Sequence, residues 1–111
     1  MIPFWESSCP LLFLASEDDH NYDSLGYARR AAALLTQHGV PASRWELLTY
    51  PGAGHLLNTP YTPPNFNSLH ALAPKGMRLY MGGADAPEEH HNAAVKSYAD
   101  TVLFLKKALH V

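Results

Sequence analysis

The stretch LLFLASEDDHNYDSLGYARRAAALLTQHGVPASRWELLTY, residues 11–50, decides the fold of this chain. It opens with a continuous apolar run, residues 11–16, which predicts a strand buried on both faces, as in a parallel sheet. A helical pattern follows, and then residues 45–50 contain the Trp, Thr and Tyr that strands prefer. Strand, helix and strand in this order form a βαβ unit, whose crossover is right-handed in nearly all proteins. The sequence therefore predicts an α/β fold.

The helix between the two strands is predicted to run from Ser24 to about His38. Ser24 is one candidate for the N-cap and Asp23 is the competing one, since both side chains can accept a hydrogen bond from an unpaired amide of the first turn. Gly39 is suited to end the helix in the left-handed conformation. Apolar residues recur at helical spacing and form one stripe, which comprises Leu25, Ala28, Ala32 and Leu35.

The stretch from Pro51 to Pro87 is predicted to be a long loop, because it contains six of the nine prolines of the chain. Within it, residues 77–81 (MRLYM) indicate a short edge strand before two glycines. From about Glu88 to Leu109 the pattern is that of an amphipathic helix, whose apolar face comprises Ala94, Tyr98, Val102, Leu105 and Leu109. The expected order is thus two parallel strands with a crossover helix, a proline-rich loop and a C-terminal helix.

The bulk composition limits the class of protein. A length of 111 residues suffices for one modest domain, and 47% hydrophobic with 16% charged residues is typical of a folded chain. A formal net charge of −2 without a Lys/Arg cluster argues against a nucleic-acid partner. No apolar run approaches the ~20 residues of a membrane span, and the lone Cys9 excludes an internal disulfide. The sequence predicts neither a metal site nor a cofactor.

Signals for targeting are absent from both ends of this sequence. The first residues have neither the basic nor the apolar region of a signal peptide. The last three residues, Leu109-His110-Val111, differ from the peroxisomal signal Ser-Lys-Leu. We therefore expect a cytoplasmic protein, with the peroxisome or the mitochondrion as alternatives.

Two loops that follow the predicted strands contain an acid and a base. Asp19 lies in residues 17–23, here called the acid loop, and His55 ends residues 51–55, the histidine loop. Because the carboxyl ends of parallel strands open into one crevice, we expect both side chains to lie there. Acid loop, helix, strand and histidine loop is also the order in which α/β-hydrolases present the last two members of their triad. Asp19 and His55 are the candidate catalytic residues, with Asp18 as the competitor for the acid.

Longer motifs resemble the acyl-CoA thioesterases related to bile acid-CoA:amino acid N-acyltransferase. The resemblance extends from about Leu11 to Leu109, nearly the whole chain. Five segments carry it: LFLASEDDHNY (12–22), YPGAGH (50–55), PYTPP (60–64), SLHAL (68–72) and YMGG (80–83).

This resemblance implies the C-terminal part of an α/β-hydrolase domain, residues 1–111, that cleaves fatty acyl-CoA thioesters. It places the family's catalytic acid on Asp19 and its histidine on His55, and CoA enters as part of the substrate. The nucleophile, serine in the thioesterases and cysteine in the transferase, is expected upstream of Met1, since no G-x-S-x-G pattern occurs here. Cys9 is no substitute, because it precedes a strand instead of occupying a strand-to-helix turn.

The missing nucleophile leaves three hypotheses open. With serine the protein is an acyl-CoA thioesterase, and with cysteine it is a bile acid-CoA:amino acid N-acyltransferase. The third is a truncated, non-catalytic product that binds a partner or does not fold. The chain alone is expected to be inactive, although its family is enzymatic.

Other histidines are assigned no chemistry. His90 and His91, after Glu88 and Glu89, are expected at a solvated helix start and not in a metal site, because adjacent helix positions point in different directions. His20 either shapes the acid loop or is a plain surface residue.

Overall fold

The computed structural model describes residues 2–69 and 75–111, so His70 and the end of the SLHAL segment lie outside the described residues. The helices and strands are β1 (Leu11–Ser16), α1 (Ser24–Gln37), β2 (Trp45–Tyr50), β3 (Asn67–Leu69), β4 (Arg78–Tyr80) and α2 (Pro87–Leu109). Short 3-10 turns, Phe4–Glu6 and Ala42–Arg44, precede β1 and β2. The expected α/β order is confirmed in this part of the chain.

The strands β1 and β2 form a parallel sheet, as the βαβ pattern predicts. Leu11 lies opposite Trp45 at one end of the pair, and Ser16 lies opposite Tyr50 at the other. Both strands therefore end at the same edge of the sheet, and the acid loop and the histidine loop begin side by side there.

Helix α1 packs on both strands of this sheet. Its predicted apolar stripe is buried or half-buried throughout, at Leu25, Ala28, Ala32 and Leu35. The N-cap is Asp23, whose carboxylate accepts a hydrogen bond from the Gly26 amide at 2.9 Å. The assignment of Ser24 as the cap is wrong and the competing one, Asp23, is confirmed, because the Ser24 hydroxyl donates to the Asp19 carboxylate instead. Gly39 follows the helix with φ of 71°, as its left-handed role requires.

The proline-rich stretch contains more regular structure than its composition indicates. Strands β3 and β4 pair antiparallel, with Asn67 opposite Tyr80 and Leu69 opposite Arg78. The residues predicted as an edge strand, 77–81, do contain β4. Strand β3 was not predicted, because three residues are too few to show an alternating pattern.

The buried face of helix α2 overlaps the predicted apolar face only in part, at Ala94 and the half-buried Val102. Its buried residues are His90, Ala93, Ala94 and Ser97, whereas three large residues of the predicted apolar face are exposed: Tyr98, Leu105 and Leu109. The helix contacts the core through Ala93, which packs with Tyr50 and Ala53. Small side chains allow this close approach, so the packed face is the one with the smaller residues and not the more hydrophobic one.

Much apolar surface is left uncovered around this core. Leu14 on β1 is 38% exposed, and Leu103 and Leu109 on α2 are 65% and 66% exposed. The radius of gyration is 15.7 Å, compared with about 13 Å for a compact domain of this length. Within the described ranges, none of the helices has both the length and the apolar character that a bilayer span requires.

A glycine turn between β4 and α2 contacts the acid loop. Gly82 and Gly83 both have φ of 84°, a conformation that glycine adopts without strain. A Cβ added at Gly82 would overlap the carbonyl oxygen of Asp18. The turn therefore needs glycine for its conformation and also for the space beside the acid loop.

Replacement of Gly82 by alanine tests this close approach, with Gly39→Ala as the matched control. Gly39 also has positive φ, but an added Cβ there meets no atom within 4 Å, so we expect a loss of about 1 kcal/mol in the free energy of unfolding. Gly82→Ala must also displace the Asp18 backbone, and we expect a loss of about 3 kcal/mol. Urea unfolding of the chain measures both values, and equal losses would contradict the close approach.

Candidate active site

Asp19 and His55 are in contact at the carboxyl ends of β1 and β2. The Nδ1 atom of His55 lies 2.9 Å from Oδ2 and 3.1 Å from Oδ1 of Asp19. A carboxylate can only accept, so Nδ1 carries a proton, and in the neutral imidazole Nε2 then has the lone pair. The side chain of Asp19 is 2% exposed and that of His55 is 26% exposed. The acid is therefore sealed from solvent, whereas the base remains accessible.

The acid loop itself holds the Asp19 carboxylate. The amides of Asn21 and Tyr22 donate to Oδ1 at 2.9 and 3.1 Å, and the hydroxyl of Ser24 donates to Oδ2. Burial alone raises the pKa of this carboxyl. The hydrogen bonds that it accepts, from Ser24 first and then from His55 and the two amides, outweigh burial and hold the pKa below its ordinary value. Asp19 is therefore an ionised carboxylate with a fixed orientation.

The neighbouring carboxylate, Asp18, has partners other than His55. Its Oδ2 accepts a hydrogen bond from the Gly83 amide at 2.7 Å, and its Oδ1 lies 3.0 Å from Nε2 of His20. The local pattern leaves both acids possible and the family resemblance favours Asp19, and the structure brings Asp19 to His55. Asp18 instead ties the acid loop to the glycine turn, with His20 as its partner.

The histidine loop is anchored through its backbone on both sides of Gly54. The Ala53 carbonyl accepts from the Asp18 amide at 2.9 Å, and the His55 amide donates to the Met81 carbonyl at 2.6 Å. One bond joins this loop to the acid loop, and the other joins it to the residue after β4. The position of His55 therefore depends on three separate segments of the chain.

His90 contacts the same loop, contrary to the prediction of a solvated helix start. It is 2% exposed, and its Nδ1 accepts the Gly54 amide at 3.0 Å. Glu88, Glu89 and His91 are exposed, as predicted. Nothing in the local sequence distinguishes His90 from His91, since only the packing of α2 decides which of them is buried. Among the described residues, no three His, Cys, Asp or Glu side chains are grouped to hold a metal ion.

The exposed side of His55 is open to a further reactant. The ring of Tyr22 packs against the imidazole, with 5.4 Å between ring centroids. The Nε2 atom makes no hydrogen bond to any residue that the structure describes. It can thus accept a proton from a hydroxyl or thiol that approaches from outside.

Two other features lie at the opposite end of the sheet. Cys9 is exposed and precedes β1, whereas Asp19 follows that strand. A cavity of about 400 Å³ lies where β1 and β2 begin, and its lining includes Pro10, Trp45 and Phe104. Neither feature adjoins the pair of Asp19 and His55.

Comparisons with known proteins agree on one family. The family profile described as BAAT / Acyl-CoA thioester hydrolase C terminal matches residues 1–111. Acyl-coenzyme A thioesterase 6 of Homo sapiens is 32% identical over 109 residues, and the bile acid-CoA:amino acid N-acyltransferase of Homo sapiens is 34% identical over 109 residues. The mitochondrial acyl-coenzyme A thioesterase 2 of Rattus norvegicus is 34% identical over 108 residues.

These alignments cover nearly all of the chain but a minor part of each relative. They include 98%, 98% and 97% of the chain, and 24%, 24% and 22% of the three relatives. The chain thus spans about a quarter of the length of the curated relatives that it matches. Since the profile covers every residue, and thioesterases and a transferase both align with it, the chain belongs to the BAAT / acyl-CoA thioester hydrolase C-terminal family.

Proposed function

We propose that the chain supplies the acid and the base of an acyl-CoA thioesterase, as the C-terminal part of an α/β-hydrolase domain. The observation that carries this proposal is the hydrogen bond of 2.9 Å between His55 and the buried Asp19 carboxylate. It leaves Nε2 of His55 as a base at the carboxyl edge of a parallel sheet. The thioesterase relatives support an acyl-CoA substrate, and the products are then a free fatty acid and CoA.

In the proposed reaction a serine hydroxyl attacks the thioester carbonyl while Nε2 of His55 accepts its proton. The protonated His55 then donates this proton to the departing CoA sulfur, and an acyl-enzyme forms. Water attacks the acyl-enzyme carbonyl with His55 again as the base, and the protonated His55 then returns the proton to the serine oxygen as the fatty acid is released. Asp19 holds the imidazole in the correct tautomer and stabilises its charged form without taking the proton.

The serine and the oxyanion donors of this proposal come from outside the 111 residues. The uncovered apolar surface supports this arrangement, since Leu14 on β1 and Leu103 on α2 are exposed. Parallel sheets are normally covered on both faces and flanked by further strands. The missing part of the domain would cover these residues and bring its nucleophile to Nε2 of His55.

A second candidate function is amino acid N-acyl transfer. The human N-acyltransferase is 34% identical to the chain and the human thioesterase 6 is 32% identical, so identity does not separate the two activities. Both use the same roles for Asp19 and His55. A cysteine nucleophile upstream would favour transfer to an amine, and a serine would favour hydrolysis. The reading frame upstream of Met1 decides between them.

The proposal also includes a compartment and a substrate. The cytoplasm stays a prediction, and relatives named mitochondrial acyl-coenzyme A thioesterase 2 and peroxisomal succinyl-coenzyme A thioesterase keep two alternatives open. The proposed partner is a small-molecule fatty acyl-CoA, with no resident cofactor.

A chimera tests the two proposed roles directly. In it, the 108 aligned residues of the rat thioesterase 2 are replaced by those of this chain. We expect Asp19→Asn and His55→Ala to lower kcat for palmitoyl-CoA by about 10³- to 10⁴-fold, because each removes part of the proton-transfer machinery. Release of the CoA thiol measures the rate.

Asp18→Asn in the chimera is the matched control, since it makes the same change at the neighbouring carboxylate. We expect a loss in kcat of less than about tenfold, because Asp18 has no contact with His55. Retention of activity in the His55→Ala chimera would overturn the proposed function. A larger loss for Asp18→Asn than for Asp19→Asn would exchange the two roles.

The ionised state of Asp19 predicts a pH dependence of stability. Its pKa is lower in the folded chain than the value of 3.8 that we take for the unfolded chain. Its stabilising contribution is therefore complete well above pH 3.8 and is lost as the pH falls through the lower, folded pKa. We expect the difference in unfolding free energy between the chain and its Asp19→Asn variant to be largest at pH 6–7 and to shrink below about pH 4. A difference that is constant from pH 7 to pH 3 would contradict this assignment.

The chain of 111 residues is expected to show no turnover by itself. Without a nucleophile and oxyanion donors, His55 has no group to activate. Release of CoA from palmitoyl-CoA should match the blank, after subtraction of the free thiol of Cys9. Size-exclusion chromatography and circular dichroism of the same sample test the third hypothesis, and a cooperatively melting monomer would argue against a product that does not fold.

A further inference from the structure

His90 is buried beside the histidine loop, although the proposed reaction assigns it no role. It lies in the first turn of α2, where its backbone amide donates to the Ala86 carbonyl at 2.9 Å. Its side chain is turned inward, and Nδ1 accepts the Gly54 amide at 3.0 Å. An imidazole that accepts through Nδ1 carries its proton on Nε2. The bond therefore requires one tautomer of a neutral histidine.

The imidazole of His90 is held from two sides. The ring of Phe66 meets it edge-on, with 5.4 Å between centroids and 61° between planes. Gly83 lies against the same imidazole, and a Cβ added there would come within 2.7 Å of Nδ1. Because little space is left for rotation of the ring, Nδ1 is directed at Gly54.

The surroundings also favour the neutral form of His90. Burial lowers its pKa, which the nearby charge of Asp18 raises and that of His91 lowers, and the net value lies below the ordinary one. Asp18 is in turn bonded to the Gly83 amide. The lone pair on Nδ1 is thus available to Gly54 at neutral pH.

Gly54 is one of the two glycines of the histidine loop, together with Gly52. Glycine has the widest range of backbone angles, and here it directly precedes His55. A larger residue is excluded, since an added Cβ would overlap the Gly82 carbonyl. Loss of the bond to His90 would leave a buried amide without a partner, which the loop can relieve only by moving.

We propose that His90 is a positioning residue for His55. By accepting the Gly54 amide, it keeps the Nδ1 atom of His55 on Asp19 and the Nε2 atom directed at the reacting atoms. The catalytic consequence rests on the proposed function of His55, whereas the bond to Gly54 stands independently of it.

Three substitutions in the chimera test the role. His90→Leu removes the acceptor, and His90→Asn retains one, because the Oδ1 atom of asparagine can take the place of Nδ1. His91→Leu is the matched control, since His91 is the next residue and is exposed. We expect His90→Leu to lower kcat for palmitoyl-CoA by at least about tenfold with KM within about twofold, because misplacement of the base affects the chemical step more than substrate binding.

Rescue separates positioning from a general loss of stability. His90→Asn should recover kcat to within about threefold of the parent chimera, and His91→Leu should leave it unchanged. In the same chimeras, hydrogen exchange at the Gly54 amide should be faster with His90→Leu and remain slow with His90→Asn. Failure of His90→Asn to recover kcat would overturn the inference. Equal kcat for His90→Leu and His91→Leu would overturn it as well.

Turnover and hydrogen exchange together distinguish the proposed function from the positioning role of His90. If His55→Ala leaves turnover intact, the proposed function fails, and the catalytic role of His90 fails with it. If His55→Ala abolishes turnover but His90→Leu does not reduce it, only the positioning role is wrong. If Gly54 exchanges at the same rate with and without His90, the hydrogen bond itself is contradicted.

Discussion

A buried, ionised carboxylate is stable only where hydrogen-bond donors surround it. Asp19 is such a carboxylate, and several parts of the structure supply its donors. Its side chain is 2% exposed, and backbone amides, a hydroxyl and an imidazole all donate to it. The hydroxyl comes from Ser24, the first residue of α1, so the start of the crossover helix is coupled to the site. The imidazole comes from His55, which is thereby fixed in one tautomer. A single electrostatic constraint thus joins β1, α1 and the histidine loop.

The parallel pairing of β1 and β2 brings the two loops together, but it does not hold the base in place alone. The turn between β4 and α2 supplies the remaining contacts: Gly82 packs against the acid loop, and Gly83 donates to Asp18. Helix α2 then adds the acceptor for the histidine loop. The long proline-rich stretch between these parts returns the chain to the carboxyl edge of the sheet. Its structural role is to bring β4 and α2 back to the two loops that follow β1 and β2.

Local patterns in the sequence predict the parts of this fold that depend on local periodicity. The parallel strands, the stripe of α1 and the extent of α2 are examples. The choice of Asp19 over Asp18 came from family resemblance, since both carboxylates occupy the same loop and differ only in direction. The burial of His90 could not be predicted, because it arises from small residues that seat α2 against Tyr50 and Ala53. The predicted face of α2 is confirmed at Ala94 but is wrong at Tyr98, Leu105 and Leu109, which are exposed, because hydrophobicity alone does not report the size of the space to be filled.

In the proposed mechanism His55, aligned by Asp19, activates a nucleophile supplied from outside these residues. An alkyl fluorophosphonate tests this most directly, because it reacts with a serine only when a neighbouring base has activated it. The second-order labelling rate of the chimera is the measurement, taken with and without His55→Ala. We expect labelling of the host serine in the parent chimera and a loss of at least about 10³-fold in the labelling rate of the variant. Equal labelling rates for the two proteins would contradict it.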